Sequence, residues 1–322
     1  MKLLRASLLT IAVALTPLAA HAQSWPAGQP IKVIVPFSAG SATDLIARAV
    51  FEQVGQQIGA TFVVDNRVGA GGTLGANAVA KAAPDGFTLL VHSSTHTVTP
   101  STHANPGYDT AKDFAPIVPL GNLPNVLVAA KAKGYGSLKD MVAAAKAKAG
   151  GFNYASVGPG SASHLTAERL KMAAKFEAQH VPFKGAPEAL REIIAGRIDF
   201  YFTPLAPAKG MIEQGELVAL AVSSSQRATS LPNVPTTVEA GYPNSEYNFW
   251  VGVLAPARTP PAITERLSKE ISAALANPGV KERLARIGVD PMSLTSTQFQ
   301  ALIAREIADN AELVKAAGLK PN

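Results

Sequence analysis

The sequence predicts an α/β fold of mostly parallel sheets that are flanked by helices on both faces. Short apolar runs alternate with helical segments along most of the 322 residues, and this alternation is typical of parallel sheets. Two of the strands end in turns of small residues that lead straight into a helix. Such turns lie at the carboxyl edge of an open α/β sheet, where ligands bind.

The N-terminus has the three parts of a secretory signal peptide. Lys2 and Arg5 form a short basic region, residues 8–18 are apolar, and residues 20–22 (Ala-His-Ala) provide a cleavage signal. We expect residues 1–22 to be removed, so that a soluble periplasmic protein begins at Gln23. An uncleaved N-terminal anchor is the alternative, although the apolar run is short for a membrane span.

The composition excludes several classes of protein. The chain has no cysteine, so it carries neither a lipoprotein anchor nor a disulfide. Its formal net charge of +6 becomes +4 once Lys2 and Arg5 are removed, and the basic residues are spread along the chain without interleaved aromatic residues. We therefore expect no nucleic-acid partner.

The strands and helices are predicted from periodicity and from helix start and stop signals. The predicted strands are 31–36, 61–66, 88–91, 126–130, 152–156, 179–182, 199–202, 218–222 and 250–254. The predicted helices are 41–58, 72–82, 137–149, 161–175, 187–195 and 205–214, followed by three helical segments between 261 and 317. A proline-rich stretch at 231–243 precedes this C-terminal part.

The first of the two turns follows the strand 31–36. Ser41 and Asp44 have the spacing of a capping box, in which side chains close onto the first free backbone N–H groups of a helix. These N–H groups carry the positive end of the helix dipole, so they can hold an anion without a basic side chain. Gly40 allows a ligand to approach the backbone, and we expect Asp44 to fix the turn rather than contact the anion.

The second turn follows the strand 152–156 and has the same build. The chain passes through Gly158 and Gly160 into a helix whose first turn carries Ser161 and Ser163. One such turn would indicate only a capped helix. Two of them in separate halves of the chain predict a receptor for a small carboxylate.

Enzymatic motifs are absent or incomplete. Residues 69–75 resemble a dinucleotide-binding loop, but Leu74 stands where the third glycine is needed, and the loop follows the second strand rather than the first. The sequence contains no Walker loop, nucleophile elbow or zinc-protease motif. We therefore predict no catalytic residue and no cofactor.

Three histidines could suggest a metal site. His92, His96 and His103 are four and seven residues apart, a spacing that suits a metal only on a helix. The surrounding Ser, Thr and Pro residues predict a loop, so no metal site is expected. Asp44 and Asp199 are isolated carboxylates, for which capping and turn formation are the usual roles.

A series of short motifs runs along the whole mature chain. They are PIKVIVPF at 30–37, GSATD at 40–44, VDNR at 64–67, GAGG at 69–72, APDGFTLL at 83–90, NYASVGPGSASH at 153–164, HVPFKG at 180–185, GRIDF at 196–200, LPNVPT at 231–236 and LAP at 254–256. In these motifs and their order the sequence resembles the Bug-type receptors, the periplasmic solute-binding proteins of tripartite tricarboxylate transporters.

The resemblance implies a type II periplasmic-binding protein fold, a two-lobed Venus flytrap that closes on its ligand by a hinge. The chain would cross between the lobes near residues 122–126 and again near residues 222–226. Lobe one would then contain residues 23–123 and 226–322, and lobe two would contain residues 124–225.

The resemblance also implies which residues bind the ligand. In the family, the first turn holds a carboxylate through backbone N–H groups, hydroxyls and bridging waters, and the second lobe adds further donors. The corresponding residues here are Phe37, Ser38, Ala39, Gly40, Ser41, Ala42 and Thr43 in the first turn, Ser93 after the third strand, Ser156, Gly158, Ser161, Ser163 and His164 in the second turn, and Asp199 and Thr203 at the far wall. Thr203 and the histidine-containing segment 92–108 depart from the family pattern, which leaves the identity of the carboxylate open.

Three functions follow from this comparison of motifs. The favoured one is a monomeric binding protein that captures a small organic carboxylate and delivers it to the membrane permease of a tripartite tricarboxylate transporter. The alternative is a receptor that presents its ligand to a periplasmic sensor domain, and residues inside the cleft do not separate the two. An enzyme such as a hydrolase ranks third, because the sequence offers no nucleophile–base pair.

Overall fold

The computed structural model describes residues 25–26, 28–148, 150–183, 185–316 and 318–320, so the predicted signal peptide lies outside the described residues. The strands are β1 Ile31–Val35, β2 Phe62–Asn66, β3 Thr88–Ser93, β4 Phe114–Asn122, β5 Asn125–Ala130, β6 Asn153–Ser156, β7 Gln179–Pro182, β8 Phe200–Pro204, β9 Leu217–Val222 and β10 Trp250–Pro256. The helices are α1 Ala42–Ile58, α2 Thr73–Ala80, α3 Thr95–Thr102, α4 Leu138–Ala147, α5 Ala162–Ala174, α6 Ala186–Ile194, α7 Leu205–Glu213, α8 Pro261–Ala276, α9 Pro278–Arg286 and α10 Ser296–Ala316. Among the helices of these ranges, none combines the length and the apolar character that a membrane span requires.

The first sheet has the strand order β2–β1–β3–β10–β4. Strand β1 pairs in parallel with both neighbours, so that Val33 lies opposite Val64 and Leu89. Helices α1, α8 and α9 cover one face of the sheet, where Val50 and Ile271 join the core, and α2 and α10 cover the other. Burial on both faces explains the apolar run at residues 33–35 of β1, which follows the exposed Lys32.

The second sheet has the strand order β7–β6–β8–β5–β9. Helices α4 and α5 pack on one face around Leu170 and Phe200. Helices α6 and α7 pack on the other face around Leu190 and Tyr201. Each sheet therefore has its own layered core, as an α/β architecture requires.

In each sheet four strands run in one direction and the fifth runs against them, within the confirmed α/β class of mostly parallel sheets. Strand β10 runs antiparallel to β3 and β4, and β5 runs antiparallel to β8 and β9. The reason is topological. A strand that arrives directly from the other sheet enters at the carboxyl edge, where Val251 pairs with Ser93 and Asn125 pairs with Pro204, and so it runs against its neighbours.

The segment around His96 was expected to be a loop, and this prediction was wrong because residues 95–102 form helix α3. Its threonine hydroxyls donate to carbonyls of the preceding turn, Thr99 to Thr95 and Thr102 to Val98. Helix α10 packs along α3. This tertiary packing outweighs the low helix propensity of a Thr-rich sequence.

Strand β4 was not predicted either. It contains Pro116 and Pro119, which disfavour a central strand because proline cannot donate to the ladder. The structure resolves this conflict by placing β4 at the edge of the first sheet, where one side of the strand needs no partner.

The chain passes between the sheets twice. Strand β4 ends at Asn122 and β5 begins at Asn125, where the first crossing was predicted. After β9 the chain stays with the second sheet, since Thr236 bridges to Val222 and Ala228 is buried in that sheet's core. The chain enters the first sheet again as strand β10 at Trp250.

Contacts across the junction involve α10 and α5. The Arg169 guanidinium lies 3.2 Å from the Asp309 carboxylate. Beside this ion pair, a small apolar cluster joins α3, α5 and α10; it contains Val98, Leu165, Tyr247, Leu313 and Val314. Helix α5, which begins at the second turn, is therefore in direct contact with helices α3 and α10.

Candidate functional site

The first turn, residues 36–41, joins β1 to α1 at the carboxyl edge of the first sheet. Gly40 has a φ of +79°, a conformation that favours glycine, and Ser41 is the N-cap of α1. The Ser41 N–H donates to the Ser38 carbonyl (3.1 Å), and the Ser41 Oγ accepts from the Asp44 N–H (3.3 Å). The predicted cap is therefore present.

Asp44 fixes this turn. Its buried carboxylate accepts hydrogen bonds from the Gly40 N–H (2.8 Å), the Asn66 amide (2.9 Å) and the Arg48 guanidinium (3.0 Å). Burial alone would raise the pKa of this carboxyl, but the hydrogen bonds from Arg48, Gly40 and Asn66 outweigh it and lower the pKa. Asp44 is therefore ionised and occupies the Gly40 N–H, which leaves that peptide group unable to bind a ligand.

The first turn keeps two backbone donors free. The N–H groups of Ala42 and Thr43 open helix α1 and meet no acceptor within the part of the chain that the structure describes. They lie at the positive end of the helix dipole. Ser38 and Ala39 are exposed beside them, while Phe37 is half-buried with its ring edge-to-face against His92. This arrangement can hold one anionic group.

The second turn, residues 157–161, repeats this geometry at the carboxyl edge of the second sheet. Gly160 has a φ of +73°, and the N-cap Ser161 has φ −66° and ψ 158°, against −65° and 158° for Ser41. The Ser161 N–H donates to the Gly158 carbonyl (3.2 Å), and the Ser161 Oγ accepts from the His164 N–H (3.4 Å). The two turns thus share one backbone design.

His164 holds the second turn. The Gly160 N–H donates to its Nδ1 atom at 3.0 Å. Burial, together with the nearby His180 and Lys171, lowers the pKa of His164 to about 3, so the ring is neutral and Nδ1 can accept. Because the residue is only 2% exposed, it supports the turn rather than facing a ligand.

Further hydrogen bonds shape the same turn. The Ser163 Oγ accepts from the Val157 N–H (3.1 Å), and the Ser156 Oγ accepts from the Gly158 N–H (3.0 Å). The N–H groups of Ala162 and Ser163, the first two of α5, meet no acceptor among the described residues. The second turn therefore offers the same pair of free donors as the first.

Ser93 and Thr203 lie close to the carboxyl ends of β3 and β8, beside the strands that arrive from the other sheet. The Ser93 hydroxyl donates to the Thr95 Oγ1 at 3.0 Å. The Thr203 hydroxyl is buried near the Tyr201 hydroxyl and makes no well-formed hydrogen bond in the described ranges. Both turns and both residues therefore border the junction at which the chain crosses between the sheets.

Asp199 lies away from the other predicted binding residues, which corrects its assignment to the cleft wall. It precedes β8, whereas Thr203 is near the end of that strand, so the two residues lie at opposite edges of the sheet. Its carboxylate accepts from the Asn153 N–H (2.9 Å) and pairs with the Lys133 ammonium (2.8 Å). The buried Asp199 carboxylate therefore forms a structural ion pair with Lys133 near the start of β6 and β8.

The three histidines of the segment 92–103 lie on different elements. His92 is near the end of β3, His96 is in α3 and His103 follows α3; among the described residues no group of three or more His, Asp or Glu side chains is placed to hold a metal ion. The His92 and His96 rings pack with their centroids 5.2 Å apart. Burial lowers the pKa of His92 to about 4 and that of His96 well below its usual range, so both are neutral core residues.

His180 is the residue at this site that sequence reasoning missed. Its Nε2 lies 2.5 Å from the Ser156 Oγ, and its ring stacks on His164 with centroids 3.9 Å apart. The available signal was the HVPF motif, which overlaps β7, but the sequence does not show that β7 pairs with β6. The Ser156–His180 pair is not a nucleophile and base, because Ser156 is fully buried and its oxygen is engaged by Gly158.

Comparison with known proteins identifies the family. The profile of the tripartite tricarboxylate transporter family receptor matches residues 46–319. Protein BugT of Bordetella pertussis is 35% identical over 301 residues, which cover 93% of this chain and 92% of BugT. Among solved structures, R. palustris Rpa4515 with adipate is 32% identical with a TM-score of 0.77, covering 92% of this chain and 100% of that one. MatC from Rhodopseudomonas palustris with bound malate is 31% identical with a TM-score of 0.72, covering 88% and 98%.

These findings confirm the predicted resemblance and the two-lobed periplasmic-binding fold. The family and the structural neighbours are solute-binding proteins rather than enzymes. The chain belongs to the tripartite tricarboxylate transporter receptor family.

Proposed function

We propose that this protein captures a small organic carboxylate between its two lobes in the periplasm and delivers it to the membrane permease of a tripartite tricarboxylate transporter. The observation that carries the proposal is the pair of equivalent turns, each with two free N–H groups at a helix N-terminus. Such groups bind anions without a basic side chain.

The proposed ligand contacts divide between the two turns. In the first turn, Ala42 and Thr43 donate backbone N–H groups and Ser38 and Ser41 donate hydroxyls, while Phe37, Ala39 and Gly40 shape the approach. In the second turn, the N–H groups of Ala162 and Ser163 are the contacting groups, with the Ser161 hydroxyl beside them. Ser156, Gly158 and His164 hold this turn in place. Ser93 and Thr203 add hydroxyls near the crossings, and Asp199 has no place in this set.

A carboxylate is the ligand class that fits these groups best. The donors are neutral, so they match a carboxylate without the strong charge pairing that would retard release. The relatives Rpa4515 and MatC were solved with adipate and with malate, which supports a dicarboxylate of similar size.

We assign residues 23–123 and 250–322 to lobe one and residues 124–249 to lobe two. The burial of Ala228 and the bridge between Val222 and Thr236 support moving residues 226–249 from the first lobe to the second. The two crossings then lie near residues 122–125 and 247–250, and hinge rotation about them closes the lobes over the ligand.

Export follows from the N-terminal segment, which lies outside the described residues. We propose cleavage between Ala22 and Gln23, and the mature chain acts as a monomer. N-terminal sequencing of the periplasmic fraction should begin within a residue or two of Gln23, whereas an intact N-terminus in the membrane fraction would contradict export as a soluble protein.

The binding proposal is tested by thermal shift and calorimetric titration of the mature protein against adipate, malate, citrate and benzoate. A ligand at a hundredfold excess over its dissociation constant stabilises the folded state by about 2.7 kcal/mol. No stabilisation by any small carboxylate, or turnover of one, would contradict the proposal. Delivery is tested by uptake, since deleting the gene should abolish high-affinity uptake of the carboxylate that binds.

A further inference from the structure

We propose that His164 and His180 are positioning residues that hold the second turn ready for a carboxylate, and that they make this turn sensitive to acid while the first turn is not. This inference rests on the proposed function. The observation behind it is that two stacked, neutral imidazoles hold the peptide group and the hydroxyl that shape the second turn.

His164 acts on Gly160. Its Nδ1 accepts the Gly160 N–H at 3.0 Å and must therefore carry a lone pair. A proton on Nδ1 would bring two donors face to face and break this hydrogen bond. The N–H groups of Ala162 and Ser163 would then lose the turn that orients them.

His180 acts on Ser156. The Ser156 Oγ accepts the Gly158 N–H (3.0 Å) and shares a hydrogen bond of 2.5 Å with the Nε2 atom of His180. The hydrogen bond from the Gly160 N–H to Nδ1 assigns the Nε2–H tautomer to the neutral His164 ring.

The surroundings oppose a proton on either ring. The rings are nearly parallel, at 7°, and two positive charges 3.9 Å apart would repel. Tyr154 packs below both rings, and its hydroxyl donates to Glu168, which also pairs with Lys171 at 2.7 Å. Burial is the largest effect on both pKa values and lowers them; Lys171 adds to it, and Glu168 opposes it only at His180. The positive N-terminus of α5 disfavours the imidazolium further.

The first turn lacks this sensitivity. Asp44 accepts the Gly40 N–H with a carboxylate whose pKa is lowered, so the acceptor persists in mild acid. In the second turn, acid favours an opened state, in which the hydrogen bond between Gly160 and His164 is broken. In that state a histidine regains a pKa of about 6.5. Each pH unit below that value favours opening up to about tenfold for each histidine.

Nuclear magnetic resonance of the ligand-free protein tests this directly. From about pH 7.5 to about pH 4, the Gly160 amide signal should shift or broaden together with the His164 ring signals, while the Gly40 amide stays as the internal control. In a double variant, His164→Asn keeps an oxygen acceptor near the place of Nδ1, and His180→Gln keeps an amide donor near the place of Nε2. Because neither replacement titrates, Gly160 should then behave as Gly40 does. A wild-type Gly160 amide as insensitive as that of Gly40 would overturn the proposal, as would equal movement in the double variant.

Calorimetric titration with adipate and with malate tests the link to binding. Between about pH 7.5 and about pH 4.5, the dissociation constant of the wild type should rise more than that of the double variant, by up to about tenfold for each histidine and each pH unit below about 6.5. Protonation of the ligand affects both proteins equally, so the difference reports the histidine pair. His103→Gln, outside both turns, should retain the wild-type behaviour. Equal pH dependence of the wild type and the double variant would overturn the acid sensitivity. If neither carboxylate binds, the proposed function is in doubt, and the Gly160 titration alone decides the positioning role.

Discussion

The His164 imidazole holds the Gly160 N–H in the second turn as the Asp44 carboxylate holds the Gly40 N–H in the first. The two hydrogen bonds measure 3.0 Å and 2.8 Å, and each acceptor stands three residues after the serine that caps its helix. The backbone geometry is shared, whereas one acceptor is charged and the other is neutral. Substitutions in the two turns can therefore separate the roles of shape, hydrogen bonding and charge.

Replacing Asp44 should lower stability more than affinity. In Asp44→Asn, an amide replaces the carboxylate that accepts from Gly40, Asn66 and Arg48, and part of this buried network is left unpaired. We expect a loss of about 1–3 kcal/mol in the free energy of unfolding, measured by urea denaturation. Asp65→Asn is the control, because the exposed Asp65–Arg67 pair contributes less than about 1 kcal/mol. A stable Asp44→Asn variant with strongly reduced carboxylate affinity would show that Asp44 acts on the ligand itself.

The two capping serines should serve both the helix and the ligand. Ser41→Ala and Ser161→Ala should each cost about 1 kcal/mol of stability for the lost cap. Ser41→Ala should also weaken carboxylate binding by about 1–3 kcal/mol, since a donor to a charged group is lost. Ser161→Ala should weaken binding because the Ser161 hydroxyl, which donates to the Gly158 carbonyl at 2.6 Å, no longer holds the turn. Ser137→Ala removes an equivalent cap, in which Ser137 accepts the Asp140 N–H, from helix α4 outside the turns. It should lose the stability alone, and an equal loss of affinity in all three variants would assign the effect to helix capping.

Gly40→Val should abolish binding by the first turn. Gly40 has a φ of +79°, which a β-branched side chain adopts only with strain of about 1–3 kcal/mol, and the valine would also cover the exposed backbone. Gly59→Val is a matched control at the other end of α1, with a φ of +66° and, as at Gly40, open space around the added Cβ. Both variants should lose similar stability in denaturation experiments. If both bind the carboxylate equally well in calorimetric titration, the ligand does not contact this turn.

The capped turns could be predicted from the sequence because their causes are local. The spacing of Ser41 and Asp44, and the small residues before Ser161, describe contacts within one turn of chain, and the structure contains those contacts. Most strands and helices were predictable for the same reason. Helix α3 and strand β4 were not, because α10 packs on the first and an edge position admits the prolines of the second.

The errors at the site have a common physical cause. Asp199 was assigned to the cleft, yet it lies at the opposite end of a strand, where Lys133 and Asn153 meet it from distant parts of the chain. His180 was overlooked because its contact with Ser156 depends on the pairing of β7 with β6. Partners that are brought together by sheet order leave no spacing in the sequence.

The free energy of unfolding should fall as the pH drops below about 6.5. His92 is buried and neutral. Its pKa is lowered to about 4 in the folded protein, from about 6.5 in the unfolded chain. Because the unfolded chain binds a proton more readily, the contribution of this residue is fully present above about pH 6.5 and is lost as the pH falls towards 4. At about pH 5 the loss from His92 alone amounts to about 2 kcal/mol.

Urea denaturation of the wild type and of His92→Gln at a series of pH values measures this contribution. The comparison concerns the slope of the unfolding free energy against pH, so a constant packing loss in the variant does not affect it. His92→Gln should show the shallower decline, by about 2 kcal/mol between about pH 7 and pH 5. His96 and the His164–His180 pair remain in the variant and should preserve part of the slope, since burial lowers their pKa values as well. Parallel profiles for the two proteins would mean that His92 is protonated, or accessible to water, in the folded state.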